Sequence, residues 1–255
     1  MANVTWSRLK TRLGPETLGL LTALLVIYVA QLILLRTPAG PFIEELYLSP
    51  YAVFRQGHIW QPFTYVWLHS PSEPFHLLFN GLVLFWFGPG LERVWGTRRF
   101  LRAYLIFAAG GAVATLGWGL GAYAGLFFPS DAQAVHLGAS GAIMGCAIAW
   151  GLVHANQPIH LLFIGQTRGI AIVWLFVGIE VLRALSLQRG LSVSSHVGGM
   201  LAAFVLCRGW WRPGKWLGLV RRGNLKRKKK SIERELRVIS GGGQPRDPGD
   251  PKKWN

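Results

Sequence analysis

Charge is what this sequence has least of. Only 15% of its 255 residues are Asp, Glu, Lys or Arg, well under the roughly one quarter usual for soluble domains. Acidic residues are the scarcer kind, 11 against 27 Lys and Arg. That shortage argues against a globule covered by mixed charge and solvated on all sides. Cysteine is rare as well. Cys146 and Cys207 are the whole complement, and both fall in apolar segments. Two such residues exclude a disulfide framework or a zinc cluster, and each reads as a small packing residue. His58, His69, His136, His154 and His160 form no His-Glu-x-x-His run, which removes the zinc-protease pattern. No metal site and no cofactor is implied, and no internal repeat is evident.

What is abundant is apolar. Hydrophobic residues make up 51% of the chain, with 12 Trp, and the mean hydropathy is +0.32. This is the composition of an integral membrane protein with one domain plus tails. Residues 18–35 run for 18 residues without a charge, about the length of a membrane span. Arg8, Lys10 and Arg12 precede them, as in a signal peptide, but no small-x-small cleavage site follows, so a retained first helix is expected. Further spans are expected at about 75–91, 100–126, 136–153, 170–187 and 194–210. Between the first two lies a long connection, 37–74, holding six prolines and eight aromatic residues from Phe42 to Trp67. A loop that apolar is expected at the membrane interface, where Trp and Tyr concentrate.

Basic residues set the orientation. Arg8, Lys10 and Arg12 precede the first span; Arg93, Arg98, Arg99 and Arg102 flank the turn between the second and third. From Arg208 onward there are 15 Lys and Arg against 4 Asp and Glu, so +11 of the formal +16 sits in the tail. Six spans put all three basic regions on one side, the cytoplasm. The expected organisation is a cytoplasmic N-terminus at 1–17, a membrane domain at 18–210, and a basic, partly disordered cytoplasmic tail at 211–255. Within the tail, residues 225–238 suit a short amphipathic helix on the membrane surface, and the Gly/Pro-rich end from 240 suits disorder. Such a tail is expected beside anionic lipid, and nucleic acid is not an expected partner.

Two polar residues stand out inside the apolar segments. Ser140 lies in Gly138-Ala139-Ser140-Gly141, and His196 in Ser195-His196-Val197-Gly198-Gly199. Polar and ionisable side chains in such segments are functional-site candidates, and a serine with a histidine is the minimal set for nucleophilic hydrolysis. Taken alone, each has a plainer reading. Gly/Ala/Ser patches are common where membrane helices pack, and a histidine can simply bond to a neighbouring helix. In the six-span topology, both residues fall near the outer ends of helices running outside to inside. His196 also heads a small-residue stripe, with Gly199 and Ala203 following, that suits contact with the Ser140 helix. His76 and Asn80 share one helix face by their i, i+4 spacing. Their polar groups suit an oxyanion site, or a polar patch at the interface. Glu180 has Arg183 one turn on. The pair reads as a structural ion pair or a snorkelling side chain, with a gating or water-path role as the alternative.

Taken in order, these elements resemble the rhomboid family of intramembrane serine proteases. The matched text runs from Gly57-His58-Ile59-Trp60 through Thr64 and Leu68-His69 to His76-x-x-x-Asn80. It continues with Leu91-Glu92-x-x-x-Gly96-x-x-Arg99-Phe100, Gly138-x-Ser140-Gly141 and His196-x-x-Gly199, covering roughly residues 50–205.

The resemblance implies an all-α bundle of six transmembrane helices with a membrane-interface loop after the first. It implies a Ser-His dyad, with Ser140 as nucleophile and His196 as general base, and no acidic third member. His76, Asn80 and the Ser140 amide would form the oxyanion hole, supported by Gly138, Gly141 and Gly199. Helix 5 and the loop before helix 6 would gate substrate entry. The implied substrates are transmembrane segments of other proteins, in a bacterial-type inner membrane. Two positions depart from the family pattern: Gln61 stands where arginine is common, and Met144 where an aromatic ring often supports the histidine. A non-catalytic relative that binds membrane clients is the rival reading; its signature would be loss of Ser140 or His196, and both are present.

Overall fold

The computed structural model describes residues 13–126, 129–161, 165–186 and 190–209. The chain divides into two compact units, Met1–Arg208 and Gly209–Asn255. The expected amphipathic helix at 225–238 and the disordered end of the tail lie outside the described residues, as do residues 1–12.

Among the described residues, six long helices build the first unit: α1 Pro15–Leu34, α2 Pro74–Trp95, α3 Thr97–Tyr123, α4 Ser140–Val153, α5 Ile170–Leu185 and α6 Gly190–Arg208. Three of them, α1, α2 and α3, are long and apolar enough to cross a membrane by length and composition, and α4 is a shorter apolar helix. Each follows an expected span with shifted ends. The largest shifts of a helix start are at α4 and α6. The former starts at 140 instead of 136, the latter at 190 instead of 194. A short antiparallel pair, β1 Pro158–Leu161 with β2 Gly165–Arg168, adds a two-stranded sheet to the expected helical architecture. Outside a helix the backbone N–H and C=O groups of this segment need other partners, and pairing supplies them.

The helix ends show how a chain poor in charge uses the few charges it has. The start of α1 leaves backbone N–H groups without intrahelical acceptors. Buried Glu92, near the end of α2, accepts from Glu16 N at 3.0 Å, Thr17 N at 2.9 Å and Thr17 Oγ1 at 2.8 Å. It also accepts from Thr97 Oγ1 at 3.2 Å. A carboxylate at the positive end of a helix is well placed electrostatically. The next residue after α2, Gly96, takes φ +78, a conformation that glycine adopts without strain, and α3 begins immediately afterwards.

The core is centred on α4. Ten of its 14 residues are buried, and it packs against α2, α3, α5 and α6. Tyr65, Leu84, Phe100, Tyr104, Phe107, Ile143 and Cys146 are at most 1% exposed, so Cys146 is a packing residue. The outer faces are apolar too: Val26, Trp86, Val113 and Trp174 are all more than half exposed. Outward-facing apolar side chains of this size on several helices suit a lipid solvent.

The connection from 35 to 73 is a string of short turns: Gly40–Glu44, Ala52–Gln56, Gln61–Thr64 and Tyr65–Trp67. Phe42, Ile59 and Phe63 project outward while Tyr65 and Val66 are buried. Polar side chains staple it. Gln61 Oε1 accepts from Ser49 N at 2.9 Å, and its Nε2 donates to Glu45 O at 3.0 Å. Trp60 Nε1 donates to the same carbonyl at 3.1 Å, and Thr64 Oγ1 to Leu46 O at 2.7 Å. The glutamine that departs from the family pattern is thus a bridge between two segments of the loop.

Candidate active site

Ser140 is the first residue of α4. The chain reaches it through Gly138, whose N–H donates to Tyr65 O at 3.0 Å. Gly138 has φ +126, and a Cβ there would lie 2.7 Å from His76 Cε1. Both facts require glycine: the backbone conformation and the space. They also explain why α4 begins later than expected, since a helix cannot run through that conformation. At the first helical position the Ser140 amide has no intrahelical acceptor. Its side chain is buried, as is that of His196.

His196 lies in the second turn of α6, one turn further in than expected. It meets Ser140 nevertheless, because the backbones of α4 and α6 touch. A Cβ on Gly199 would collide with Gly141 O, and one on Gly141 would lie 2.8 Å from Ser195 Oγ. On the other side of α6, a Cβ on Gly110 of α3 would be 2.8 Å from Gly198 O. The small residues therefore do pack the helices together, and that packing brings the polar groups into reach. His196 Nε2 is 2.8 Å from Ser140 Oγ. Its other ring nitrogen, Nδ1, is 2.8 Å from Glu180 Oε1 on α5. Glu180 Oε1 is also 3.8 Å from Arg183 Nε.

His76 and Asn80 come from α2 and approach the loop before Ser140. His76 lies against Gly138. Buried Asn80 has its Nδ2 3.0 Å from His69 Nε2, and Ala139 N lies 3.5 Å from the same ring atom. The His69 and His76 rings sit 5.3 Å apart at 63°. Burial, with a smaller contribution from His76, pushes the His69 imidazolium down to about 3. The ring is therefore neutral near pH 7, and Nε2 can accept from Asn80. His69 is itself held in place, since its N–H donates to Gln31 Oε1 at 3.1 Å and its carbonyl accepts from Gln31 Nε2 at 2.8 Å.

A family model, the Rhomboid domain, matches residues 56–212. The chain belongs to the rhomboid family. Among curated relatives, this rhomboid chain is 30% identical over 152 residues to the putative rhomboid protease YdcA of Bacillus subtilis (strain 168), covering 59% of this chain and 66% of that protein. It is 32% identical over 154 residues to the rhomboid protease GluP of the same organism, covering 60% and 26%. It is 27% identical over 200 residues to the rhomboid protease GlpG of Yersinia pseudotuberculosis serotype I (strain IP32953), covering 77% and 64%. The chain thus spans less than two thirds of the length of each of these relatives.

Two residues of this rhomboid site escaped the sequence reading. Glu180 pairs with Arg183 as its spacing suggested, but its shorter contact is with His196, a residue on another helix. The available signal was a carboxylate within an apolar helix, followed by an imidazole in the next one. His69 was visible only as part of a motif. Its hydrogen bond to Asn80 joins a loop to a helix 11 positions away, a pairing no local periodicity encodes.

Proposed function

We propose that this rhomboid-family chain is an intramembrane serine endopeptidase that cuts transmembrane segments of other membrane proteins. The observation that carries the reading is the 2.8 Å contact between Ser140 Oγ and His196 Nε2 inside a bundle with an apolar exterior. The names of the relatives as rhomboid proteases support it.

In this mechanism His196 Nε2 takes the Ser140 proton as Oγ attacks the scissile carbonyl carbon. The tetrahedral oxyanion is held by the Ser140 amide at the start of α4, by His76 and by Asn80. Asn80 has two N–H donors; one points to His69, leaving the second for the oxyanion. Each such donor is typically worth about 3 kcal/mol of barrier. Collapse breaks the C–N bond, and the proton on His196 passes to the leaving amine. Water then attacks the Ser140 ester, with His196 again acting as base, and releases the second fragment. Gly138, Gly141 and Gly199 support the site by letting His76, α4 and α6 approach.

The same reading places all six helices in the membrane. Both termini are cytoplasmic and the site lies toward the opposite side of a bacterial-type inner membrane. Helix α4, with 14 residues, has a length of about 21 Å, short of the roughly 30 Å hydrocarbon core. A serine at its start can then lie below the membrane surface. Substrate has to unwind locally, because helical carbonyls are shielded, so small residues and helix breakers near the cut are favoured. The basic tail rests on anionic lipid.

The test is cleavage of a defined transmembrane substrate in proteoliposomes by wild type, Ser140→Ala and His196→Ala. Each substitution should lower the rate by at least about 10³-fold, as loss of a reacting group does in serine hydrolases. Equal cleavage by all three proteins would refute the dyad.

A further inference from the structure

The carboxylate of Glu180 stands where a third member of a relay would stand. It lies on α5, opposite Ser140 across the His196 ring, with Oε1 2.8 Å from Nδ1 while Nε2 faces Ser140 Oγ at 2.8 Å. All three side chains are buried. An isolated carboxylate is costly to bury in an apolar bundle, and its remaining contacts do little to offset that. Oε2 has no hydrogen-bond partner among the described residues. Arg183 Nε, at 3.8 Å from Oε1 with its side chain 36% exposed, is too distant for a hydrogen bond. The strongest interaction Glu180 makes is with the imidazole.

We propose that Glu180 is a positioning residue for His196, holding the ring with Nδ1 protonated and Nε2 free to accept the Ser140 proton. An ionised carboxylate can only accept a hydrogen bond, so its contact with Nδ1 selects the Nδ1–H form and orients the ring. When Nε2 takes the proton from Ser140, the ring becomes an imidazolium flanked by that carboxylate. The proton resides on His196 throughout, and Glu180 accepts none. The three groups come from three helices, α4, α5 and α6, so displacement of α5 would remove the carboxylate from the ring. The proposal rests on the protease reading for its consequence, though the geometry it concerns does not depend on turnover.

Two measurements on the full-length protein in lipid bilayers decide it. The first is ¹⁵N spectroscopy of histidine-labelled protein, with the His196 signals assigned by their loss in His196→Ala. Wild type should show the Nδ1–H form, and Glu180→Gln, which can donate as well as accept, should shift the population toward Nε2–H. Wild-type protein in the Nε2–H form, or identical spectra for the two proteins, would overturn the proposal whether or not the chain is a protease. The second is the rate of Ser140 labelling by a fluorophosphonate probe. Glu180→Gln should slow labelling on the order of 10²-fold, within the range that positioned proton transfer contributes. Arg183→Gln should change it by no more than about threefold, as expected for a partly exposed pair. Labelling of Glu180→Gln at the wild-type rate, or an equal loss in Arg183→Gln, would reject the positioning role. If wild type is not labelled at all, the protease reading fails, and the ¹⁵N comparison still decides the role of Glu180.

Discussion

The seam between α4 and α6 and the connection from 35 to 73 solve the same problem in opposite ways. Both must hold polar groups in fixed positions in a chain with an apolar exterior. The seam does so by removing side chains. Gly141 and Gly199 bring two backbones into contact, so Ser140 and His196 are aligned by helix geometry. The connection does so by adding polar side chains. Gln61 and Thr64 bond to backbone groups of other turns, and Gln31 of α1 bonds to the backbone of His69. Close packing leaves almost no tolerance, because protein interiors are dense and a single methyl is felt. Hydrogen-bonded staples are separate contacts, and losing one leaves the others in place.

The comparison predicts unequal damage. The largest effect is expected at the seam. Gly199→Val places a branched side chain where Gly141 O stands, so unfolding stability in detergent should fall by about 3 kcal/mol or more, with loss of fluorophosphonate labelling at Ser140. A variant that melts and labels like wild type would show that the two backbones are not in contact. In the loop, Gln61→Ala leaves Ser49 N without its acceptor and removes one of two donors from Glu45 O. It should cost about 1–3 kcal/mol and leave labelling within a few-fold of wild type. If labelling vanishes while stability is kept, the loop and the site are not separable in this way.

The smallest effect is graded by pH. His69 and His136 are buried in loops. Burial pushes both down to about 3, with help from His76 at His69 and from His196 and His76 at His136. In the unfolded chain each titrates near 6.5. Between those values the unfolded state binds protons that the folded state does not, so stability falls as pH drops from about 6.5 toward 3. The thermal midpoint should decline by a few degrees between pH 7.5 and pH 5, and His136→Phe should flatten that slope. An unchanged slope would mean that His136 is not a source of the acid sensitivity.

Much of the fold could be read along the chain, because apolar run length is a local property. The six long helices follow the expected spans, and Gly199 on α6 faces α4 as its spacing suggested. Helix ends were less legible. The start of α4 depends on the φ of Gly138, which a small-residue tetrapeptide does not reveal. The strand pair at 158–168 forms because backbone groups between two helices need partners, a demand visible only once the helices are placed. Glu180 was read with Arg183, its neighbour in sequence, because i, i+3 proximity is encoded locally; its contact with His196 spans two helices.

By itself, the sequence determined the solvent and the parts: a chain with too little charge for water, apolar runs of membrane length, and a serine, two histidines and an asparagine at family spacings. Only the tertiary structure decided which of those parts touch. Ser140 and His196 are 56 positions apart, and the distance between them is set by two glycine backbones. The carboxylate behind His196 and the imidazole behind Asn80 were placed in the same way. Such contacts arise from packing between elements, where a shift of one ångström makes or breaks a hydrogen bond, and no pattern along a single helix records them.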